Sequence, residues 1–338
     1  MMSSRIRSGH LTMWVEIRRH ARGTLRAAAV LMCTAGAIPF WGFAQYPEKP
    51  ITLLVGNGTG SAGDQIARGL AEAITKHLRQ PILVVNRPGA SATIAVSEAL
   101  RAKPDGYTLG LGTVGTLTVQ PHLAKLSYGA PNTYIPVAKL VNTPNVLMVK
   151  AAGPWTTVEE LLNYARAHPG RVSVGVPGFA SVAHLNVEQL KLIARVDLKV
   201  VYFDGPKQVP AALRGQIDAA VAGPGQILQH VKAGNAVALG IFDEHRLPLA
   251  LSVPTFKELG FDVTLNSGQA IVAPRLTPAS IVKMLDEAIK KAVAEPSFVS
   301  LAARTQNPID YKGPEEFAAE LRREFERNGE LLRQLRIK

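Results

Sequence analysis

The 338-residue chain contains one cysteine, Cys33, close to its N-terminus. A chain that begins after it has no disulfide, no catalytic thiol and no zinc–thiolate site. Catalytic motifs are also lacking: there is no H-x-H, H-E-x-x-H or C-x-x-C, no G-x-S-x-G nucleophile elbow and no Walker loop. The eight histidines are scattered without metal-ligand spacing, so no metal, no cofactor and no catalytic residue is assigned. His184, one turn into a predicted helix, reads as structural. Aromatic residues make up 6% of the chain and do not interleave with the basic ones, which argues against nucleic acid as a partner. Beyond residue 44 no segment is apolar enough over its length to span a bilayer.

The composition that remains, 47% hydrophobic and 19% charged, is globular, and the length suits about two domains. The formal charge of +12 is uneven: residues 1–44 hold six arginines and one glutamate, which leaves +7 on the rest. Arg18, Arg19, Arg22 and Arg26 precede the uncharged stretch from Ala27 to Ala44, which ends in Gly42-Phe43-Ala44 with small residues at −3 and −1. This pattern predicts a cleavable signal peptide over residues 1–44 and an exported chain from Gln45. The competing reading is an uncleaved anchor, since the apolar run is near the lower limit for a span; Ala and Gly dominate it and Pro39 breaks it. A lipoprotein signal is excluded by Met32, which stands before Cys33 where a small side chain is required. The mild positive field of the mature chain suits anionic ligands.

After Pro50 short β-branched runs alternate with helical periodicity, the pattern of an α/β fold with largely parallel strands. Strands are predicted at 51–55, 82–85, 108–111, 137–140 and 146–149, then at 172–176, 200–203, 217–222 and 236–241. Thr156-Thr157-Val158-Glu159-Glu160 carries two overlapping capping boxes for a helix through His168. The last 60 or so residues read as three helices, 278–294, 296–303 and 314–335, each opened by proline. The final one, with Phe317, Leu321, Phe325 and Leu332 on one side, reads as a solvated surface helix. No internal repeat is evident. Two α/β lobes without a flexible linker imply crossing strands, for which 141–149 and 265–273 are the natural candidates, and the cleft between the lobes is the expected ligand site. The organisation predicted is residues 1–44 as signal, 45–145 with 266–338 as one lobe and 146–265 as the other.

Gly58-Thr59-Gly60-Ser61-Ala62-Gly63 is a literal G-x-G-x-x-G between a strand and a helix, so an NADP-dependent oxidoreductase using Gly58, Gly60 and Gly63 is one reading. Two features oppose a dinucleotide: Asp64 puts a carboxylate where a pyrophosphate needs the positive end of the helix, and Asn86 stands where NAD binding expects an acid, although Arg87 could serve the 2′-phosphate of NADP. The alternative is a small-anion site made of backbone amides at the helix N-terminus, with the Thr59 and Ser61 hydroxyls as further donors. Gly178-Phe179-Ala180-Ser181 repeats the arrangement further along. Two such loops across a cleft could hold both ends of a dicarboxylate, or they could be ordinary βα turns that use Gly and Ser for geometry.

Pro104-Asp105-Gly106-Tyr107-Thr108-Leu109 matches, without change, a signature of the extracytoplasmic solute receptors of tripartite tricarboxylate transporters, the Bug family. Tyr46-Pro47-Glu48-Lys49-Pro50-Ile51, Asn86-Arg87-Pro88-Gly89-Ala90, Gly215-Gln216-Ile217-Asp218, Val253-Pro254-Thr255, Ala273-Pro274 and Thr277-Pro278 match it in order. The chain resembles this family from Tyr46 almost to its end. The resemblance implies a type II periplasmic-binding-protein fold of two α/β lobes joined by crossing strands. It implies no enzyme activity. It also implies a periplasmic receptor that closes on a small carboxylate and delivers it to membrane subunits of a tripartite transporter, with monomer the default for a diffusing receptor; a receptor that feeds a sensor kinase would use the same fold. Carried over by motif, the ligand residues are Thr59, Gly60, Ser61, Ala62, Gly63 and Asp64; Ala90 and Ser91; Thr113, Gly115 and Thr116; Gly178, Ala180 and Ser181; and Phe203, Asp204 and Gly205. Asp218 matches a family aspartate that could bind ligand or hold the hinge. The departures fall in these loops. Pro-Phe-x-Ala-Gly-Gly is replaced by Gly56 to Ser61, Gly-Gly by Ser91-Ala92, Gly-x-Gly-Ser by Gly178-Phe179-Ala180-Ser181, and Pro-Tyr-Lys-Gly by Tyr202-Phe203-Asp204-Gly205. Asp204 in place of lysine reverses the local charge and points to a ligand with a neutral or cationic part, as in an amino acid or nitrogen heterocyclic acid, unless its side chain faces solvent.

Overall fold

The computed structural model describes residues 46–203, 207–250, 252–265 and 267–337; the predicted signal segment lies outside them, as do Asp204 and Gly205. The chain first lays down β1 (Ile51–Val55), α1 (Ala62–Ile74), β2 (Ile82–Asn86), α2 (Thr93–Leu100), β3 (Thr108–Thr113), the short α3 (Val114–Thr118) and α4 (Gln120–Leu123), and β4 (Tyr134–Val141). It then crosses into β5 (Asn145–Lys150), α5 (Val158–Ala167), β6 (Val172–Val176), α6 (Val182–Ala194), β7 (Leu198–Tyr202), α7 (Gln208–Leu213), β8 (Ala219–Ala222), α8 (Pro224–Lys232) and β9 (Ala236–Phe242). It returns through β10 (Gln269–Pro274), α9 (Ala279–Val293), α10 (Pro296–Thr305), β11 (Ile309–Lys312) and α11 (Pro314–Gln334).

Two sheets result, ordered β11-β4-β10-β3-β1-β2 in the first lobe and β7-β6-β8-β5-β9 in the second. They share one plan. A parallel trio, β2-β1-β3 or β7-β6-β8, is followed by a strand that has just crossed from the other lobe, β10 or β5, and then by β4 or β9. Each crossing strand enters its sheet at the end where the parallel trio finishes, so it must run against its neighbours. Both sheets are therefore mixed and not largely parallel: β10 is antiparallel to β3 and β4, and β5 to β8 and β9. The topological repeat escapes the sequence because it lies in strand order and not in residue identity.

Side-chain alternation explains the burial of the second sheet, which is covered on both faces. Leu147 and Val149 of β5 join Ala219 and Val221 of β8 in one core, while Val146 and Met148 join Ala220 and Ala222 in the other. One predicted capping box holds α5: Thr157 accepts from the Glu160 amide, and Glu160 returns to the Thr157 amide. The Thr156 amide also donates to Glu160, at 2.7 Å, in place of the second predicted box. The final helix is more than a solvated surface element. Phe317 and Leu321 of α11 are buried in the first lobe, whereas Leu331 and Leu332 pack with Val119, with Leu185 of α6 and with Leu265. Glu320, also on α11, reaches the fully buried Lys139 of β4 at 2.6 Å, and Asp310 of β11 reaches the same ammonium at 2.7 Å. α11 thus spans the seam between the lobes.

Candidate functional site

Strand register places the βα loops of both lobes on one edge. Val55 pairs with Asn86, and Thr113 pairs with Gln269, the first residue after the return crossing. In the second sheet Val176 pairs with Tyr202, and Ala222 with Val146, just after the outward crossing. The strand ends that carry the loops therefore meet the crossings, where the Ser267 amide donates to the Thr143 carbonyl at 3.1 Å and Val114 to Gly268 at 2.9 Å.

In the first lobe Ser61 caps α1, its hydroxyl accepting from the Asp64 amide at 3.3 Å. Gly60, at φ 82°, turns its amide onto the Asp64 carboxylate at 2.8 Å. That carboxylate is buried and also accepts from Arg68 at 3.1 Å and from Asn86 Nδ2 at 2.8 Å. Burial opposes its ionisation, but the hydrogen bonds from Arg68, Gly60 and Asn86 and the Arg68 charge outweigh this and hold the carboxyl below its ordinary range. Arg68 continues to Asn86 Oδ1 at 2.9 Å, and the Thr59 hydroxyl approaches the same oxygen at 3.4 Å. Asp64 is thus part of the loop's own hydrogen bonding, and the amides of Ala62 and Gly63 at the helix start are left without a partner among the described residues. A Cβ on Gly63 would lie 2.4 Å from Asn57 Oδ1, so the third glycine lets the Asn57 side chain pack against the helix start.

The second lobe repeats this loop 120 residues later in the numbering. Ser181 caps α6 and accepts from the His184 amide at 3.2 Å. Ala180, at φ 52°, donates its amide to His184 Nδ1 at 2.9 Å, as Gly60 does to Asp64. An amide donor at Nδ1 requires the lone pair there, so the ring proton sits on Nε2. That nitrogen is 3.1 Å from Tyr202 Oη and 3.7 Å from Glu188. The structural reading of His184 holds: the ring is buried and completes the loop. Tyr202 ends β7 as Asn86 ends β2, and Glu188 stands one turn beyond His184 as Arg68 does beyond Asp64. Val182 and Ala183 amides are left unpartnered among the described residues, matching Ala62 and Gly63.

A third loop lies beside the first. Ala90, Ser91 and Ala92 all have positive φ (45°, 53° and 69°), a left-handed turn that costs residues with a Cβ about 1 kcal/mol or more each. Close packing holds it: a Cβ on Gly56 would lie 2.2 Å from that of Ala92. Thr113 and Thr116 form a reciprocal capping box at the start of α3, and Thr116 Oγ1 donates to the Ser91 carbonyl at 2.8 Å. A Cβ on Gly115 would meet Val182 Cγ2 at 2.8 Å, so here the lobes touch. Of the predicted ligand residues, Ala90–Ser91 and Thr113–Thr116 are therefore brought together, and Gly115 is brought to the second-lobe loop. Phe203 donates its amide to Val176 at 2.9 Å, and its ring lies under Gly175 in the second-lobe core. Asp204, whose charge bears on the choice of ligand, lies outside the described residues. Sequence reasoning missed Phe179, Tyr202, Arg68 and Asn86 as neighbours; only their position at strand ends could have signalled them.

Two matched motifs lie at the other end of the strands. The Tyr107 amide donates to Asp105 at 3.1 Å, Gly106 sits at φ 78°, and the Tyr107 hydroxyl accepts from the Glu48 amide at 2.9 Å while Lys49 lies over its ring. This turn fixes the entry to β1 against β3. Asp218 accepts from the Ser173 amide at 2.8 Å and ties β8 to β6, away from loops and crossings alike. Among the described residues no group of three His, Cys, Asp or Glu could hold a metal, and no helix is long and apolar enough to cross a membrane.

Residues 66–336 match the family described as tripartite tricarboxylate transporter family receptor, TctC. The chain belongs to this family. A Cupriavidus necator protein designated UPF0065 protein in gbd 5'region is 31% identical over 304 residues, covering 89% of this chain and 92% of its own. A TctC solute binding protein from Polaromonas, solved without ligand, is 30% identical with a TM-score of 0.76 over 86% of this chain and 99% of that one. MatC of Rhodopseudomonas palustris, solved with bound malate, is 27% identical with a TM-score of 0.73 over 85% of this chain and all of that one. The TctC family and fold are those of solute-binding receptors, not enzymes, and the two-lobed type II architecture is theirs.

Proposed function

We propose that this TctC receptor is exported to the periplasm by its N-terminal signal, captures a small carboxylate between its lobes and delivers it to the membrane subunits of a tripartite transporter. The lobes are taken as 45–145 with 266–338, and 146–265. The observation that carries this reading is the paired loop: each lobe ends a strand in the same capped turn with two helix-start amides left for an acceptor. A ligand that contacts both turns favours the closed arrangement over the open one, which is the only way binding can drive closure. The malate bound to MatC supports carboxylate chemistry.

The ligand residues in this reading are Thr59 to Asp64, Ala90, Ser91, Thr113 to Thr116, Gly178, Ala180 and Ser181, with Ala62 and Gly63 amides as donors and Asp64 as the group that shapes the turn. Titration calorimetry of the chain from Gln45 with malate, citrate, aspartate, benzoate and NADP tests it. Saturable one-to-one binding of a carboxylate is expected, and removing the donors' geometry by Ser61→Pro should weaken it. Binding of NADP with no response to any of the acids would sink the receptor reading.

A further inference from the structure

Position for position, the two loops also differ at the residue before the tight-turn amide. Where the first lobe sets the Thr59 hydroxyl against Asn86, the second sets the Phe179 ring against Tyr202, with centroids 5.6 Å apart and nearly perpendicular. Both rings also touch His184, at 5.4 and 5.1 Å. Unlike the core aromatics they are open to solvent, 54% for Phe179 and 48% for Tyr202. An adjoining pair of exposed rings beside a binding loop marks a surface made to be covered. Phe179 stands three residues before Val182, which touches the first lobe at Gly115, so the pair lies close to where the lobes meet.

Tyr202 adds a directed polar group. Because the His184 proton lies on Nε2, the phenol oxygen accepts from it and the phenol proton is free to donate outward. Burial and the nearby Glu188 charge raise the phenol's pKa, which keeps that proton in place. We propose that the ligand of this receptor is an aromatic carboxylate whose ring lies against Phe179 and Tyr202, with the Tyr202 hydroxyl donating to its acid or ring substituent. The first lobe, polar at the matching positions, takes the other end. This rests on the receptor reading above and narrows its ligand class.

Benzoate, terephthalate, malate and adipate are titrated calorimetrically into the chain from Gln45 and into Phe179→Ala and Tyr202→Phe. Wild-type protein should bind an aromatic acid more tightly than either aliphatic one. Phe179→Ala should reduce the aromatic-to-aliphatic affinity ratio roughly tenfold, the loss of one ring contact and its buried area. Tyr202→Phe keeps the ring and removes the donor, and should cost about fivefold in aromatic-acid affinity. Unchanged unfolding midpoints of the variants confirm that the exposed rings are not needed for folding. A preference for malate or adipate, with a ratio insensitive to Phe179→Ala, overturns the aromatic proposal and leaves the receptor reading intact. If no acid binds wild-type protein, both fail.

Discussion

The two lobes solve one backbone problem with opposite chemistry. In each, a serine caps the helix that follows the middle strand of the parallel trio, β1 or β6, and the residue three places on turns its side chain back to accept the amide before the serine. In the first lobe that residue is an anion, Asp64, paired with Arg68; in the second it is a neutral imidazole, His184, flanked by Glu188. The side chain at the end of the edge strand completes each cluster, Asn86 in one and Tyr202 in the other. The requirement common to both is an acceptor for the tight-turn amide. What surrounds it is free to differ, and that freedom lets one turn be ionic and the other aromatic.

The largest test of this contrast concerns how the first lobe spends buried charge. Lys139→Ala removes the fully buried ammonium of the cluster and leaves Glu320 and Asp310 to Lys312 alone, and should cost about 3 kcal/mol in urea unfolding; a loss under about 1 kcal/mol would mean that the cluster does not anchor α11. Next, Asp64→Ala strips three donors of their acceptor and should cost about 2–3 kcal/mol, against roughly 1–2 kcal/mol for His184→Ala, because bonds to a charged acceptor are stronger. Acid sharpens the point. The Asp64 pKa is lowered on folding from 3.8, so its contribution is full above that value and is lost as pH falls through the folded pKa. Stability of Asp64→Asn should therefore decline less than wild type below about pH 4, and equal slopes would show that Asp64 is not the titrating group. Smaller still, Ser61→Ala and Ser181→Ala should each cost about 1 kcal/mol. A several-fold inequality between them would break the equivalence of the two turns.

How much of this was legible in the sequence follows from range. β1 and β6 occupy the predicted residues, and the crossings fall within 141–149 and 265–273, because apolar alternation is local. The Ser61 and Ser181 caps sit three residues before their helical partners and are equally readable. Asp64 with Asn86, and His184 with Tyr202, are separated by 18 to 22 residues and meet only through strand register. Antiparallel β10 and β5 were hidden because direction depends on which lobe the chain has come from. The motif that speaks loudest in the sequence, Pro104 to Leu109, governs the far end of β3, so family likeness there carries little information about the ligand.

The smallest effect concerns the left-handed turn that follows β2 in the first lobe. Ser91 is exposed and left-handed at φ 53°, and its neighbours Ala90 and Ala92 are left-handed too. Ala92 buries its methyl against Gly56, so glycine there would lose packing as well as strain. At Ser91 only strain is relieved. The left-handed penalty of about 1–2 kcal/mol is offset by the roughly 0.5–1 kcal/mol that glycine adds to the entropy of the unfolded chain. Ser91→Gly should therefore stabilise the free receptor by about 0.5 kcal/mol, read as a small rise in urea midpoint at constant slope. Since the Ser91 carbonyl is held by Thr116, the same substitution in a Thr116→Val background separates two accounts. If the threonine forces the turn, the gain shrinks once that bond is gone, because the loop relaxes by itself; if close packing at Gly56 forces it, the gain persists undiminished.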